Sequence, residues 1–346
     1  MKNSDQLIFK KLKLTDIASH VGVSTATVSR TLTKPFLVRE SVRARIQIAI
    51  DELGYQPNAS ARALAANRYR NIGVIVPTLA ISSFAAGVGA LQGRLSESNY
   101  ILQLSISNFN SDHEVACVRE LVGKGVDGIV MIGTRHDPKI YAMLEMQNIP
   151  YINTWDFIEE DTRPCIGFSN WKASYQITNY ILDAGHKRVA IMAGGASQRS
   201  ERSVARLEAA LFAIAERGII TPTNFVIELP YLMQAGASAV KQLLDHSDPP
   251  TAVICTNDIL AVGAILECHR LGVRIPDHLS ITGSDDLEIG SLISPSLTTI
   301  HIPARKMGHL AAEYLIEKIE GRDPLKRVKL DHSLIVRDSV KKIIQL

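Results

Sequence analysis

From Ile72 onward the chain alternates short β-branched runs with amphipathic stretches of about 10–18 residues at helical spacing, and this rhythm limits the fold more than any other feature. The runs are Ile72–Val76, Tyr100–Ser105, Gly128–Ile132, Tyr151–Asn153, Arg188–Met192, Phe225–Glu228, Ala252–Cys255 and Leu279–Thr282. Strands separated in this way pair in parallel, because a long crossover is what returns the chain to the same end of a sheet. Parallel sheets are covered on both faces, so their strands are apolar runs, not alternating ones. The runs form two groups that divide near Phe168–Asn170, where a new helix begins. The expected fold class is α/β, with two doubly wound subdomains and a ligand crevice beyond the carboxyl ends of their strands.

The first 70 residues differ. They carry 12 Lys/Arg and 5 Asp/Glu, whereas the remaining 276 carry 26 and 30. A basic head on a mildly acidic body suits an anionic partner, with nucleic acid ahead of a membrane surface. The head reads as all helix. Leu14 to Val21 is a short helix with Thr15 as its N-cap, Ile17, Ala18 and Val21 on one face, and Gly22 as its left-handed end. Ser24 caps a second helix, Thr25 to Leu32, whose buried face is Val28 and Leu32 and which Pro35 stops. A third runs from Glu40 to Leu53, with Val42, Ile46, Ala49, Ile50 and Leu53 at helical spacing and Gly54 closing it.

Helix, tight glycine turn and capped short helix form a helix-turn-helix, whose second helix enters a major groove about 12 Å wide. Its outward residues are Thr25, Ala26, Ser29 and Arg30. Thr25 suits a base edge or phosphate, Ala26 a thymine methyl, and Arg30 the O6 and N7 of guanine together. Ser24, Thr27 and Ser29 suit phosphates. Beyond the third helix, Pro57 disfavours helix at Gln56, and Asn58 then caps a short helix, Ala59 to Ala66. Its length of about eight residues is too little for stability in isolation, so it is expected to order on DNA, with Leu64 as a wedge between base steps of the minor groove.

In the core, Ser82, Ser83 and Phe84 follow the first run, and Asp156 follows the fourth. A Gly-Gly turn and a helix carrying Arg202 and Arg206 follow the fifth; Asn257 and Asp258 follow the seventh, and Asp285 and Asp286 the eighth. Carboxylates, an amide and guanidinium groups converging on one cleft suit a polyhydroxylated ligand. Each hydroxyl donates and accepts, and an aromatic ring covers the C–H face.

Taken together, Leu14-Thr15-Asp16-Ile17-Ala18, Gly22-Val23-Ser24, Thr27-Val28-Ser29-Arg30, Gly54-Tyr55-Gln56-Pro57-Asn58 and Ala61-Arg62-Ala63-Leu64 closely resemble the LacI/GalR family, and the resemblance continues to about residue 338. It implies a helix-turn-helix DNA-binding domain over 1–56, a hinge helix and linker over 57–70, and a two-lobed, periplasmic-binding-protein-like effector core over 71–346. Lobe one would take about 71–169 and 302–331, and lobe two about 170–301 and 332–346. The family's hinge leucine falls on Leu64 and its base-reading positions on Thr25, Ala26 and Arg30. Its effector arginine falls on Arg206, its Asn-Asp pair on Asn257-Asp258 and its acidic pair on Asp285-Asp286. Asp156 and Phe84 fall on ligand-facing positions, and Tyr231 on a stacking aromatic. The chain departs from the pattern at Thr33, at Ile81-Ser82-Ser83-Phe84, at Ala209 and at Ser284. Ile166 to Trp171, Cys255 to Asp258 and Glu267 to Gly272 look most like the gluconate-repressor branch, in which an acid sugar would give Arg206 a bidentate carboxylate partner.

The resemblance implies a regulator, repressing by family habit, whose grip on a pseudo-palindromic double-stranded operator is switched by a small sugar or sugar acid bound between the lobes. The tail Val340–Leu346 is too short for a coiled coil, which points to a homodimer. Cys117, Cys165, Cys255 and Cys268 form no CxxC pair and read as reduced thiols of a cytoplasmic protein, with no metal and no cofactor. No membrane partner is expected, since no run of about 18 apolar residues occurs. An enzyme is disfavoured, since GxSxG, HExxH and Walker A motifs are missing. Gly87 to Gly93 has the wrong spacing for a dinucleotide loop and reads as small residues packing a helix onto the sheet. A periplasmic sugar-binding protein shares the core, but Met1 to Lys13 is polar and basic, unlike an export signal.

Overall fold

The computed structural model describes residues 12–56, 68–195 and 200–343. The chain divides into two compact units, Met1–Arg70 and Asn71–Leu346. In the first, α1 (Leu14–Val21), α2 (Thr25–Thr33) and α3 (Glu40–Leu53) each contribute a fully buried side chain, Ile17, Val28 and Ile46 in turn. Gly22, at φ +73°, makes the turn between α1 and α2, and its N–H closes α1 on the Ala18 carbonyl. Arg45 donates to the Val21 carbonyl at 2.7 Å and ties α3 to the end of α1.

Two details of the head differ from expectation. Helix α1 has the expected span, but Lys13, not Thr15, is its N-cap, because the Asp16 carboxylate accepts the Lys13 N–H at 2.7 Å. Helix α2 runs to Thr33, whose hydroxyl donates to the Ser29 carbonyl at 2.8 Å, and Leu32 is only half buried. The expected hinge helix, with Asn58 and Leu64, lies outside the described residues.

The second unit contains two parallel sheets. The first has strand order β11-β5-β4-β3-β1-β2, from β1 (Asn71–Val76), β2 (Ile101–Ile106), β3 (Gly128–Ile132), β4 (Tyr151–Thr154), β5 (Cys165–Gly167) and β11 (Arg327–Lys329). The second has order β7-β6-β8-β9, from β6 (Val189–Gly194), β7 (Val226–Leu229), β8 (Ala252–Cys255) and β9 (Ser280–Thr282). A short antiparallel pair, β10 (Thr299–His301) with β12 (Ser333–Ile335), lies between the chain's later passages from one sheet to the other. Helices α4 (Ser82–Glu97), α5 (Ser111–Lys124) and α6 (Pro138–Met146) accompany the first sheet, and α7 (Asn170–Asp183), α8 (Glu201–Glu216), α9 (Met233–Leu244) and α10 (Asp258–Arg270) the second. A short α11 (Glu288–Leu292) precedes β10, and α12 (Ala304–Ile319) returns to pack on α4.

All eight expected strands are present, β3 and β8 with the expected ends and the others with an end shifted by a residue or two. Strands β5, β10, β11 and β12 leave no mark in the residue pattern; at three residues each they are too short to carry a period. Gly87 does serve packing, but of helix on helix. A Cβ on Gly308 would lie 2.0 Å from the Gly87 carbonyl oxygen, and one on Gly87 would lie 2.1 Å from the Trp155 ring, whereas Gly89 and Gly93 face open space.

Strand order reverses between β1 and β3 in the first sheet and between β6 and β8 in the second. The loops after those strands converge on one cleft, where doubly wound sheets place their ligands.

Candidate nucleic-acid interface and ligand cleft

Ser24 accepts the Thr27 N–H at 3.1 Å and shares a 2.9 Å hydrogen bond with the Thr27 hydroxyl, so the cap fixes the start of α2. Thr25, Ala26 and Arg30 stand exposed on that helix, while Thr27 and Ser29 are half buried. Three of the four residues expected to face outward are thus exposed. Ser29 presents less surface than expected, because its position leans toward the packed face that holds Val28 and Leu32.

In the core, Arg206 projects from α8 and is fixed by three hydrogen bonds. Its Nε donates to Asn170 Oδ1 at 2.9 Å, Nη1 to the Thr256 carbonyl at 2.8 Å, and Nη2 to Asp285 Oδ1 at 3.1 Å. A guanidinium has five N–H donors, so two remain for another molecule. Asp285 is buried, at the unusual φ of +121°. Burial pushes its carboxyl above the ordinary range, and Arg206 works in the other direction.

A chamber beside this pair is walled by Ser83, Phe84, Trp155, Arg202, Ser203 and Tyr231 among others. Phe84 meets Trp155 edge to face at 5.5 Å, and the Tyr231 hydroxyl shares a hydrogen bond with Ser203. The Gly-Gly turn after β6 makes room for Tyr231, since a Cβ on Gly195 would lie 2.3 Å from its ring.

The remaining predicted residues hold this chamber from outside. Asp156 accepts from Asn170 Nδ2 at 3.0 Å and from the Thr134 hydroxyl at 3.3 Å, so it steadies the amide that steadies Arg206; burial raises its carboxyl pKa. Asn257 is fully buried and caps α10 by accepting the Leu260 N–H at 3.1 Å. Ser82 is exposed and borders a wider groove that also reaches Asp285.

The lobes meet across the cleft. Glu201, at the start of α8, accepts the Thr134 N–H at 3.0 Å from the loop after β3, and Arg202 donates to the Ile132 carbonyl at 3.3 Å. Burial opposes charge on Glu201, yet Arg202 and backbone N–H groups hold its carboxyl below the ordinary range. Phe109 of the first lobe stacks on Tyr231 of the second at 5.4 Å.

The sequence profile "Bacterial regulatory proteins, lacI family" matches residues 13–58, and "Periplasmic binding protein-like domain" matches 178–340. HTH-type transcriptional regulator GntR of Escherichia coli (strain K12) is 30% identical over 312 residues, 90% of this chain and 93% of that protein. HTH-type transcriptional repressor PurR of Vibrio vulnificus (strain CMCP6) is 32% identical over 331 residues, 95% of this chain and 98% of that one. The chain belongs to the LacI family. A crystal structure of the lac repressor dimer bound to operator and the anti-inducer ONPF superimposes with a TM-score of 0.84 at 26% identity, over 96% of this chain and 100% of that one. This LacI-family chain is a helix-turn-helix DNA-binding transcriptional regulator.

Sequence reasoning did not single out Trp155, Asn170, Ser203 or Glu201 in this LacI-family cleft. Ser203 was within reach, since it lies three residues before Arg206 on the same helix face. Trp155 and Asn170 gave no such signal, because their place depends on β4 and β5 lying side by side. Among the described residues no group of three or more His, Cys, Asp or Glu is placed to hold a metal ion, and no helix is long and apolar enough to cross a membrane.

Proposed function

We propose that this regulator is a repressor whose affinity for a pseudo-palindromic operator is set by a sugar or sugar acid bound between the two lobes of its core. The observation that carries this reading is Arg206: three of its donors are fixed by Asn170, Thr256 and Asp285, and its head borders a chamber with aromatic rings on two sides. An arginine held in this way presents its other donors to a hydroxyl or a carboxylate without loss of side-chain entropy on binding. Acid sugars suit it best, because a carboxylate takes two parallel N–H bonds. The resemblance of Ile166 to Trp171 and Glu267 to Gly272 to the gluconate-repressor branch leans the same way.

The reading is binding and not catalysis, and the support for it is that the relatives of this chain are transcriptional regulators. A ligand touching both lobes favours one lobe angle, and linkage makes DNA and ligand alter each other's affinity equally. A homodimer in the cytoplasm completes the picture. The edge strand β2 exposes Ile101, Leu104 and Ile106, an apolar edge of the kind a second copy covers.

Gel shifts on the DNA upstream of its own coding sequence, with and without gluconate and ribose, test the reading. Binding to one duplex over others, changed at least tenfold by one of the ligands, is expected. Equal affinity for every duplex, unmoved by any ligand, overturns it. In the same assay Leu64→Ala is expected to weaken operator binding while calorimetry finds ligand affinity intact.

A further inference from the structure

Beside the Arg206 chamber the cleft opens into a second cavity of about 380 Å³, with Arg202 on the boundary of both. The inner chamber, at about 20 Å³, has room for little more than one water. The outer one falls within the about 300–1,000 Å³ of small-molecule clefts. With the lobes in contact, the inner chamber opens on two sides, past Ser83 and Asp285 into the wider groove and past Arg202 into this outer cavity, and the outer cavity is walled by both lobes at Phe109 and Glu201. Lobe one supplies Phe109, Ser111 and Arg135 to this outer wall, and lobe two supplies Ser200 and Glu201.

Two independent observations mark the outer cavity as a built site. The Ser200 hydroxyl is buried on its wall and has no hydrogen-bond partner, although a buried hydroxyl left unpaired is costly. Asn108 and Phe109 are both held in left-handed backbone, at φ +54° and +56°, which places the Phe109 ring against Tyr231. Consecutive residues of this kind are strained, and such strain collects at ligand sites. Since Tyr231 also walls the inner chamber, one aromatic floor runs through both.

The outer cavity has no excess of positive charge, since three carboxylates, Asp112, Glu114 and Glu201, accompany two guanidinium groups, Arg135 and Arg202. Glu114 is engaged by His136 at 3.0 Å, and Glu201 by Arg202 and the Thr134 N–H. That leaves Asp112 and Arg135, one acid and one base, among hydroxyl and amide groups. A phosphate or a second carboxylate would face no excess of positive charge there. A neutral ring with hydroxyls on its rim and C–H groups on its face meets donors, acceptors and an aromatic surface.

We propose that the outer cavity is a second saccharide subsite, so that the effector carries a neutral sugar unit beyond the one at Arg206. The proposal rests on the reading of the cleft as an effector site. Calorimetry of the full-length protein with glucose, gluconate, and the 4-O-glucosyl forms of each (maltose, cellobiose, maltobionate and cellobionate) tests it. At least one two-unit probe is expected to bind tenfold or more tighter than its one-unit counterpart. Ser111→Trp, which fills the cavity from an exposed position, is expected to erase that preference and leave one-unit binding unchanged, and Ser200→Ala to reduce it severalfold. Equal or tighter binding of the one-unit probes overturns the proposal, as does a preference that survives both substitutions. If one-unit probes alone bind and change DNA affinity, only the subsite is lost. If no probe binds, the subsite is lost, and the effector reading falls with it when ribose, too, leaves DNA affinity unmoved.

Discussion

Gly133 controls how closely the lobes meet. Its φ is +110°, and a Cβ there would lie 2.2 Å from Glu201 Oε1 and 2.6 Å from Arg202 Nη1. Gly133→Ala is expected to part Glu201 from the Thr134 N–H and to cost about 1–3 kcal/mol, read as a lower urea midpoint; an unchanged midpoint would show that closure does not depend on this contact. Asp258 makes a second prediction at this scale. It is fully buried, accepting the Leu287 N–H at 2.7 Å and a hydrogen bond from the Thr299 hydroxyl, and burial, with Asp285 nearby, raises its carboxyl to about 7. Between about pH 4 and 7 the folded chain keeps a proton that the unfolded chain has released, so this group's contribution to stability falls as pH rises and levels off above 7. Asp258→Asn removes that loss. Its stability relative to the parent is expected to improve by up to roughly 4 kcal/mol across this range, because each tenfold change in proton affinity is worth about 1.4 kcal/mol. Urea titrations at several pH values check this, and a difference that stays flat with pH contradicts it.

Helix α2 joins local capping to DNA reading. Ser24→Ala removes the bond to the Thr27 N–H and is expected to cost about 1 kcal/mol of head stability in thermal melts. Arg30→Ala leaves the buried face of α2 alone and should lose about 1–3 kcal/mol at one base position, seen in competition gel shifts as tolerance of any base there, with a smaller loss on unrelated DNA. At this scale much was legible: α1, α3 and the strands β3 and β8 have the predicted ends. The cap of α1 departs from expectation because the Asp16 carboxylate competes for the backbone at Lys13. The short strands β5, β10, β11 and β12 were illegible because partners far away in sequence define their pairing.

Across the whole molecule, two kinds of electrostatics should respond differently to salt. DNA contacts draw on the basic first 70 residues and release counterions, so raising salt from about 50 to 200 mM should cut DNA affinity by about 10³–10⁵ if about 6–10 phosphates are contacted. The Arg206–Asp285 pair is buried and poorly screened, so ligand affinity should change little over the same range. Filter binding and calorimetry at matched salt compare the two; parallel losses would mean that the cleft, too, is governed by exposed charge. The candidate cleft was partly legible. Arg206, Asp285, Phe84 and Tyr231 border one chamber, whereas Asp156 and Asn257 support it from behind. Asp156, Asn257 and Asp285 lie just beyond strand ends and Phe84 and Arg206 on the helices that follow, but which of them faces the cleft depends on contacts distant in sequence, such as the hydrogen bonds of Asn170 to Asp156 and Arg206.

Local physics acts within one turn or one crossover. For that reason the residue pattern alone determined the parallel α/β core, the capped helix-turn-helix and the basic charge of the head. The meeting of Glu201 with Thr134, the stacking of Phe109 on Tyr231 and the division of the cleft into two chambers were decided only by tertiary structure. Each joins residues far apart in sequence whose separation is set by how the two sheets pack and not by the chain between them.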